Sequence, residues 1–199
     1  MIVIVNNSKN LYKATMTPKL LNILDSWNIK YILINKKKDL KKKKFIISLP
    51  DIKGIILTGG PLCISDNIYY KDVIKNLAAM QICPNVPILG ICFGFQLLAD
   101  VFGGSVDKLN YHHLGFKQVD TSHTHMKLFN NIKPISTFFF SHNDHITTIP
   151  DQFNYCTFNN MIICIEHNDK QIYGVQFHPE GSTDGHAIIK NFIFNICYI

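Results

Sequence analysis

A chain of 199 residues with 47% hydrophobic content is long enough for one substantial core, and no break in composition divides it, so one domain over 1–199 is expected. The net charge of +6 comes entirely from lysine, without an arginine fork or interleaved aromatics, so the run Lys36–Lys38 and Lys41–Lys44 reads as a solvated loop and not a nucleic-acid surface. No apolar stretch approaches the roughly 20 residues of a membrane span, and the six cysteines lack metal-ligand or disulfide-framework spacing, so a cytoplasmic protein with reduced thiols and no metal site is expected.

The first half alternates strands and helices. Ile2 to Val5 is an apolar run of strand length, and Thr17-Pro18 supplies the N-cap and first-turn residues of a helix reaching about Trp27. Tyr31 to Ile34 and Gly54 to Leu57 are further strands, a helix spans about Tyr70 to Met80, and Val86 to Leu89 is a fourth strand. Continuous apolar strands joined by helices predict a flavodoxin-like α/β fold, an open and mostly parallel sheet covered on both faces. Such a sheet binds its ligand at the carboxyl ends of its strands. After Gly103-Gly104 the segments shorten: Phe116 to Val119, Thr137 to Phe140, Tyr155 to Phe158, Ile162 to Glu166 and Ile172 to Phe177 read as a mixed or antiparallel region, followed by a helix from about Asp184 to Ile196.

Two short motifs carry chemistry. In Gly90-Ile91-Cys92-Phe93-Gly94 a cysteine stands between a strand and the helix Phe95 to Phe102, with glycines two residues to either side. That is the spacing of a nucleophile elbow, whose tight turn leaves no room for a Cβ on either flank. The helix dipole there favours thiolate, so Cys92 is read as an exposed, activated nucleophile. Far downstream a strand runs into His178-Pro179-Glu180, where proline restricts the backbone between an imidazole and a carboxylate. A cysteine nucleophile needs such a pair: His178 as the base and proton carrier, Glu180 to select its tautomer. The upstream Thr58-Gly59-Gly60-Pro61 follows a strand, at the same end of the sheet.

These blocks, Gly90 to Ala99, Gly174 to Glu180 and Thr58 to Pro61, resemble the three signature blocks of class I glutamine amidotransferases, in the right order and spread across most of the chain. Within that family the likeness is greatest to the glutaminase part of GMP synthases, through Ser141-His142-Asn143-Asp144, Ile149 to Phe153 and the ending Lys190 to Cys197. The resemblance implies hydrolysis of L-glutamine without cofactor or metal. It makes Cys92, His178 and Glu180 the catalytic triad, and the backbone N–H groups of Gly60 and Phe93 the oxyanion hole. Gln96 and the segment Ser141, His142 and Asn143 become contacts to the amino acid, the latter expected to be a loop in which Asn143 tolerates a left-handed backbone. No phosphate-binding Gly-x-x-x-x-Gly-Lys loop is present, so the ammonia acceptor implied is an ATP-dependent synthetase on another chain.

Two departures stand out. His113 occupies a position where related GMP synthases carry an acidic residue, and Gly181 to Gly185 is about two residues shorter than in those enzymes. The remaining histidines lie on predicted loops or strand ends and read as exposed side chains or local hydrogen-bond partners. Three other functions stay open at this point, one being a glutaminase subunit that serves a different synthetase. A stand-alone γ-glutamyl hydrolase would use the same triad, and a non-enzymatic regulatory protein would be expected to have lost part of it.

Overall fold

The computed structural model describes residues 1–8, 16–36, 39, 52–66 and 70–199; positions 37, 38 and 41–44 of the lysine run lie outside the described residues. Among the described residues nine strands form one sheet: β1 Ile2–Val5, β2 Tyr31–Ile34, β3 Gly54–Leu57, β4 Ile88–Ile91, β5 Ser105–Asp120, β6 Ile135–Thr148, β7 Phe153–Phe158, β8 Met161–His167 and β9 Ile172–Val175. Their order is β2-β1-β3-β4-β9-β8-β6-β5, with β7 also paired to β8. The first five strands of that order run parallel, and the others pair antiparallel.

The apolar strands are buried on both faces because each alternate residue finds a helix. Ile2, Ile4, Ile56, Leu89 and Val175 pack with Leu20 and Leu24 of α1 (Met16–Ser26) and Ile188 and Ile189 of α4 (Thr183–Lys190). Val3, Val5, Ile55, Leu57 and Ile88 face the opposite way, onto Ala79 of α2 (Tyr70–Ile82) and Phe95, Leu98 and Ala99 of α3 (Phe93–Val101). Each fully buried side chain of this size contributes about 1.5–3 kcal/mol of transfer free energy. This is the expected α/β arrangement with helices on both faces.

Several boundaries differ from expectation for local reasons. Thr17 lies inside the first turn of α1, and its hydroxyl donates to Asn6 Oδ1 (3.2 Å) at the end of β1. β4 starts and ends two residues later than expected, because Gly90 and Ile91 remain in the sheet. The antiparallel region is not short: β5 and β6 span 16 and 14 residues. β5 is an edge strand and largely exposed, so it lacks the apolar pattern by which buried strands are recognised. α4 continues into a π-helical turn, Asn191–Ile196, in which the Asn191 amide donates to the carbonyls of Leu128 and Asn130 (both 2.8 Å).

The closest backbone approach in the sheet lies where β4 meets α3. A Cβ on Gly90 would fall 2.6 Å from the Gly94 carbonyl oxygen and 2.7 Å from Leu98 Cδ1, and a Cβ on Gly94 would collide with the Leu57 carbonyl. Backbone atoms of a packed sheet cannot swing aside as a side chain does. Gly90→Ala is therefore expected to lower the unfolding free energy by about 2–3 kcal/mol, measured as a reduced urea midpoint at unchanged slope.

Candidate active site

Cys92 is the hinge between β4 and α3. It adopts φ 51° and ψ −104°, a conformation that non-glycine residues rarely take and that costs on the order of 1–3 kcal/mol. The surroundings impose it. Its N–H donates to the Val175 carbonyl of β9 (2.8 Å), its carbonyl accepts the Gln96 N–H (3.0 Å), and α3 is buried from Phe93 to Ala99. The two flanking glycines leave the turn no wider path. The thiol is not exposed as expected: Cys92 is only 4% accessible. The Ser141 carbonyl, 3.6 Å from Sγ, covers it, and Gly59 and His178 close a second side.

His178 reaches this point because β9 lies beside β4 in parallel register, with Gly90 opposite Gly174 and Ile91 opposite Val175. Beyond β9 the chain is held by Phe177, stacked on Phe138 of β6 (centroids 4.0 Å apart), and by the His178 N–H, which donates to the Phe139 carbonyl (2.7 Å). Pro179 then opens a 3-10 turn, Pro179–Gly181, which brings Glu180 back toward the ring. His178 Nδ1 lies 2.9 Å from Glu180 Oε1. A carboxylate only accepts, so Nδ1 carries the proton and Nε2 is left for the other side of the ring. Burial opposes charge on this imidazole, but Cys92 and Glu180 outweigh it and hold His178 well above the ordinary histidine range. Glu180 Oε2 is buried without a hydrogen-bond partner among the described residues, and the residue borders a cavity of about 560 Å³ with Lys19, Asn22 and Phe116.

A smaller cavity of about 260 Å³ opens over Cys92. Gly60, Gln96, Ser141, His142 and Asn143 all line it, so five of the expected contact residues meet at the thiol. Phe93, in the first turn of α3, turns its ring away from this cavity to pack with Ile64, Val73 and Leu97. Gln96 is 2% accessible, and its amide nitrogen is bonded to the Asp144 carbonyl (2.8 Å) and Gln176 Oε1 (3.1 Å).

The Ser141–Asp144 segment is not a loop. It lies within β6, and Asn143 is absent from the left-handed residues, which among asparagines are Asn28, Asn131, Asn159 and Asn160. Strand geometry is possible because β5 bulges opposite it, which removes the need for a turn. His113 and His142 are buried, at 6% and 5% accessibility, and neither is an exposed loop residue.

Other contributors had no local signature. Asn7, beyond β1, and Asn76 of α2 form a reciprocal amide pair (3.1 and 3.0 Å), while Asn7 also binds Thr58 Oγ1 and the Thr58 carbonyl (2.9 Å each). This buried network seats the Gly59-Gly60 turn, where a Cβ on Gly60 would lie 2.6 Å from the Asn7 carbonyl. The Asp144 carboxylate accepts the Ser65 N–H (3.0 Å) and hydroxyl (2.8 Å), tying the far wall of the cavity to the segment after Gly60. The only hints were polar residues immediately after apolar strands.

The sequence pattern of the family described as Glutamine amidotransferase class-I matches residues 11–196. The enzyme named GMP synthase [glutamine-hydrolyzing] from Borrelia garinii subsp. bavariensis is 38% identical over 151 residues, 74% of this chain and 28% of that protein. Its namesake from Acetivibrio thermocellus is 38% identical over 149 residues, 73% and 28% respectively. The chain thus spans little more than a quarter of the length of these curated relatives. Among solved structures, a Thermoplasma acidophilum protein described as a GMP synthase subunit superimposes with a TM-score of 0.78 at 27% identity, covering 98% of this chain and 92% of that one.

Burial lowers the pKa of His142 to about 4, with the neighbouring histidines adding to the shift. The folded protein therefore keeps this ring neutral where the unfolded chain, with its midpoint near 6.5, takes up a proton. Its contribution is present above pH 6.5 and lost as pH falls toward 4, a decline of roughly 3 kcal/mol in unfolding free energy. Denaturant titrations at stepped pH should show this decline, and His142→Gln should flatten it.

Proposed function

The chain belongs to the class I glutamine amidotransferase family, and on that premise we propose that it releases ammonia from L-glutamine through Cys92, His178 and Glu180 and supplies it to an ATP-dependent synthetase. The observation that carries this reading is the convergence of a backbone-strained cysteine at the end of β4 with a carboxylate-bound histidine beyond the neighbouring β9. In the proposed reaction Cys92 Sγ, as thiolate, attacks the side-chain amide carbon of glutamine. The carbonyl oxygen becomes an oxyanion that accepts from the N–H groups of Gly60 and Phe93. His178 gives a proton to the amide nitrogen as the C–N bond breaks, leaving ammonia and a glutamyl thioester. Water then attacks the thioester carbon, His178 takes its proton, and the C–S bond breaks to release glutamate and regenerate the thiolate. Glu180 holds Nδ1–H throughout, so Nε2 faces the reacting atoms. This chemistry calls for neither a metal nor an organic cofactor.

Gln96, Ser141, His142 and Asn143 are assigned to the amino-acid end of glutamine, since all four border the cavity over Cys92. That the relatives are GMP synthases supports a GMP-forming synthetase as the consumer of the ammonia, which we assign as XMP amination, and the matched portion is only 28% of each of them. The synthetase is accordingly a unit outside these 199 residues.

Cys92→Ala is expected to abolish glutamate release from glutamine while leaving the far-ultraviolet circular dichroism unchanged. A glutamine-mimicking electrophile should label Cys92 ahead of Cys63, which shares the cavity but whose thiol is pushed up by burial and by Asp144 and Asp66. Wild-type turnover in the alanine variant, or dominant labelling of Cys63 on peptide mapping, would end the assignment. Addition of an XMP-aminating synthetase unit with its ATP and XMP should raise glutaminase turnover at least about tenfold, or roughly 1.4 kcal/mol of barrier. Full turnover by the chain alone, or preference for γ-glutamyl peptides, would favour a stand-alone hydrolase.

A further inference from the structure

The rim of the cavity over Cys92 holds a pair of histidines that the triad does not use. Between Lys108, paired with Asp144, and His113, paired with His142, β5 runs through residues 109–112 while β6 advances by Asn143 alone. The bulge interrupts the backbone ladder beside the cavity, so side chains take over the work of holding β6. His142 Nδ1 lies 2.7 Å from the Asp144 carbonyl, which also accepts the Gln96 amide. A carbonyl oxygen cannot donate, so Nδ1 bears the His142 proton, and the neutral ring has a bare Nε2. That Nε2 lies 3.0 Å from His113 Nδ1, which must then be the donor.

The arrangement is a directed relay: His113 Nδ1–H to His142 Nε2, and His142 Nδ1–H to the Asp144 carbonyl. Both rings are buried, and His113 packs on Phe140 at 4.9 Å between centroids. The surrounding charged and titratable groups are His112 and Lys117 from β5, His145 and Asp144 from β6, and His178 beyond β9. Burial, with added repulsion from Lys117 and the histidines, keeps both imidazoles neutral, which the relay requires. Without His113, the buried His142 Nε2 loses its only hydrogen-bond donor among the described residues.

We propose that His113 is a positioning residue for substrate binding: through His142 it fixes the Asp144 carbonyl and with it the Ser141–Asp144 rim against which glutamine lies. The proposal rests on the glutaminase reading above and extends it to a residue that touches neither substrate nor thiol. It also gives His113 a role that an acidic side chain in its place could not fill in the same way, because a carboxylate cannot donate to a bare Nε2.

The test uses the full chain and three proteins: wild type, His113→Leu and His113→Asn. Leucine keeps the bulk but removes the donor, and asparagine places an N–H near the position of Nδ1. His113→Leu is expected to raise the glutamine KM about tenfold with kcat changed less than about twofold, the pattern of lost binding. His113→Asn should return KM to within about threefold of wild type. Nitrogen-15 imidazole spectra read the relay without turnover: His142 should show a protonated Nδ1 and a hydrogen-bonded, unprotonated Nε2, the latter signature vanishing in His113→Leu and persisting in His113→Asn. The proposal is overturned by a protonated His142 Nε2 in wild type, by an Nε2 resonance unchanged in His113→Leu, or by an asparagine variant as impaired as leucine. A wild-type protein that shows the relay but releases no glutamate would instead overturn the glutaminase reading.

Discussion

The parallel pairing of β4 with β9 is the contact on which the rest depends. Cys92 and His178 are 86 positions apart in the chain, yet each lies within three positions of the end of its strand, and the two strands are neighbours in register. A slip of one residue in either strand would invert every side chain to the other face. The hydrophobic sorting prevents that slip, since alternate residues of β4 and β9 belong to separate cores on the two sides of the sheet. The same burial that stabilises the sheet therefore also sets the distance between thiol and imidazole.

Close approach is the second constraint. Gly59, Gly60, Gly90 and Gly94 all stand where a Cβ would strike either backbone or the His178 ring. Removing four side chains lets three strand ends, a helix and a histidine converge on one cysteine. It also leaves polar backbone groups that need partners. The asparagine pair Asn7 and Asn76 serves the Gly59-Gly60 turn, and Ser65 with Asp144 serves the opposite wall. Buried polar groups are tolerated here because nearly all are paired; among the described residues, side-chain exceptions are Glu180 Oε2 and Gln176 Nε2.

Much of this was legible in the chain itself. The parallel strands β1, β2 and β3 have the expected limits because an unbroken apolar run has few other homes, and the glycine spacing around Cys92 encodes a steric requirement that no other residue meets. The antiparallel half was less legible. β5 is half solvated, so its Asp, Lys, Asn and His residues mask a strand that depends on pairing with β6 and not on its own composition. The extension of β6 through Ser141–Asp144 depends on a bulge in a different segment, and the His113–His142 pair on the register that follows it. Such features are properties of two segments together, and neither segment alone announces them.

The place of β9 in the sheet has a temporal consequence. It is the last strand in sequence but sits in the interior of the strand order, between β4 and β8. During synthesis, at roughly 5–20 residues per second, β4 and its cysteine precede β9 by several seconds. Throughout that interval the two halves of the sheet have no common strand, and Cys92 lacks both the Val175 carbonyl that receives its N–H and the imidazole beyond it. Chain order thus separates the two in time: the cysteine is synthesised early, and the four-residue strand that joins the halves of the sheet and carries the chain on to His178 comes last.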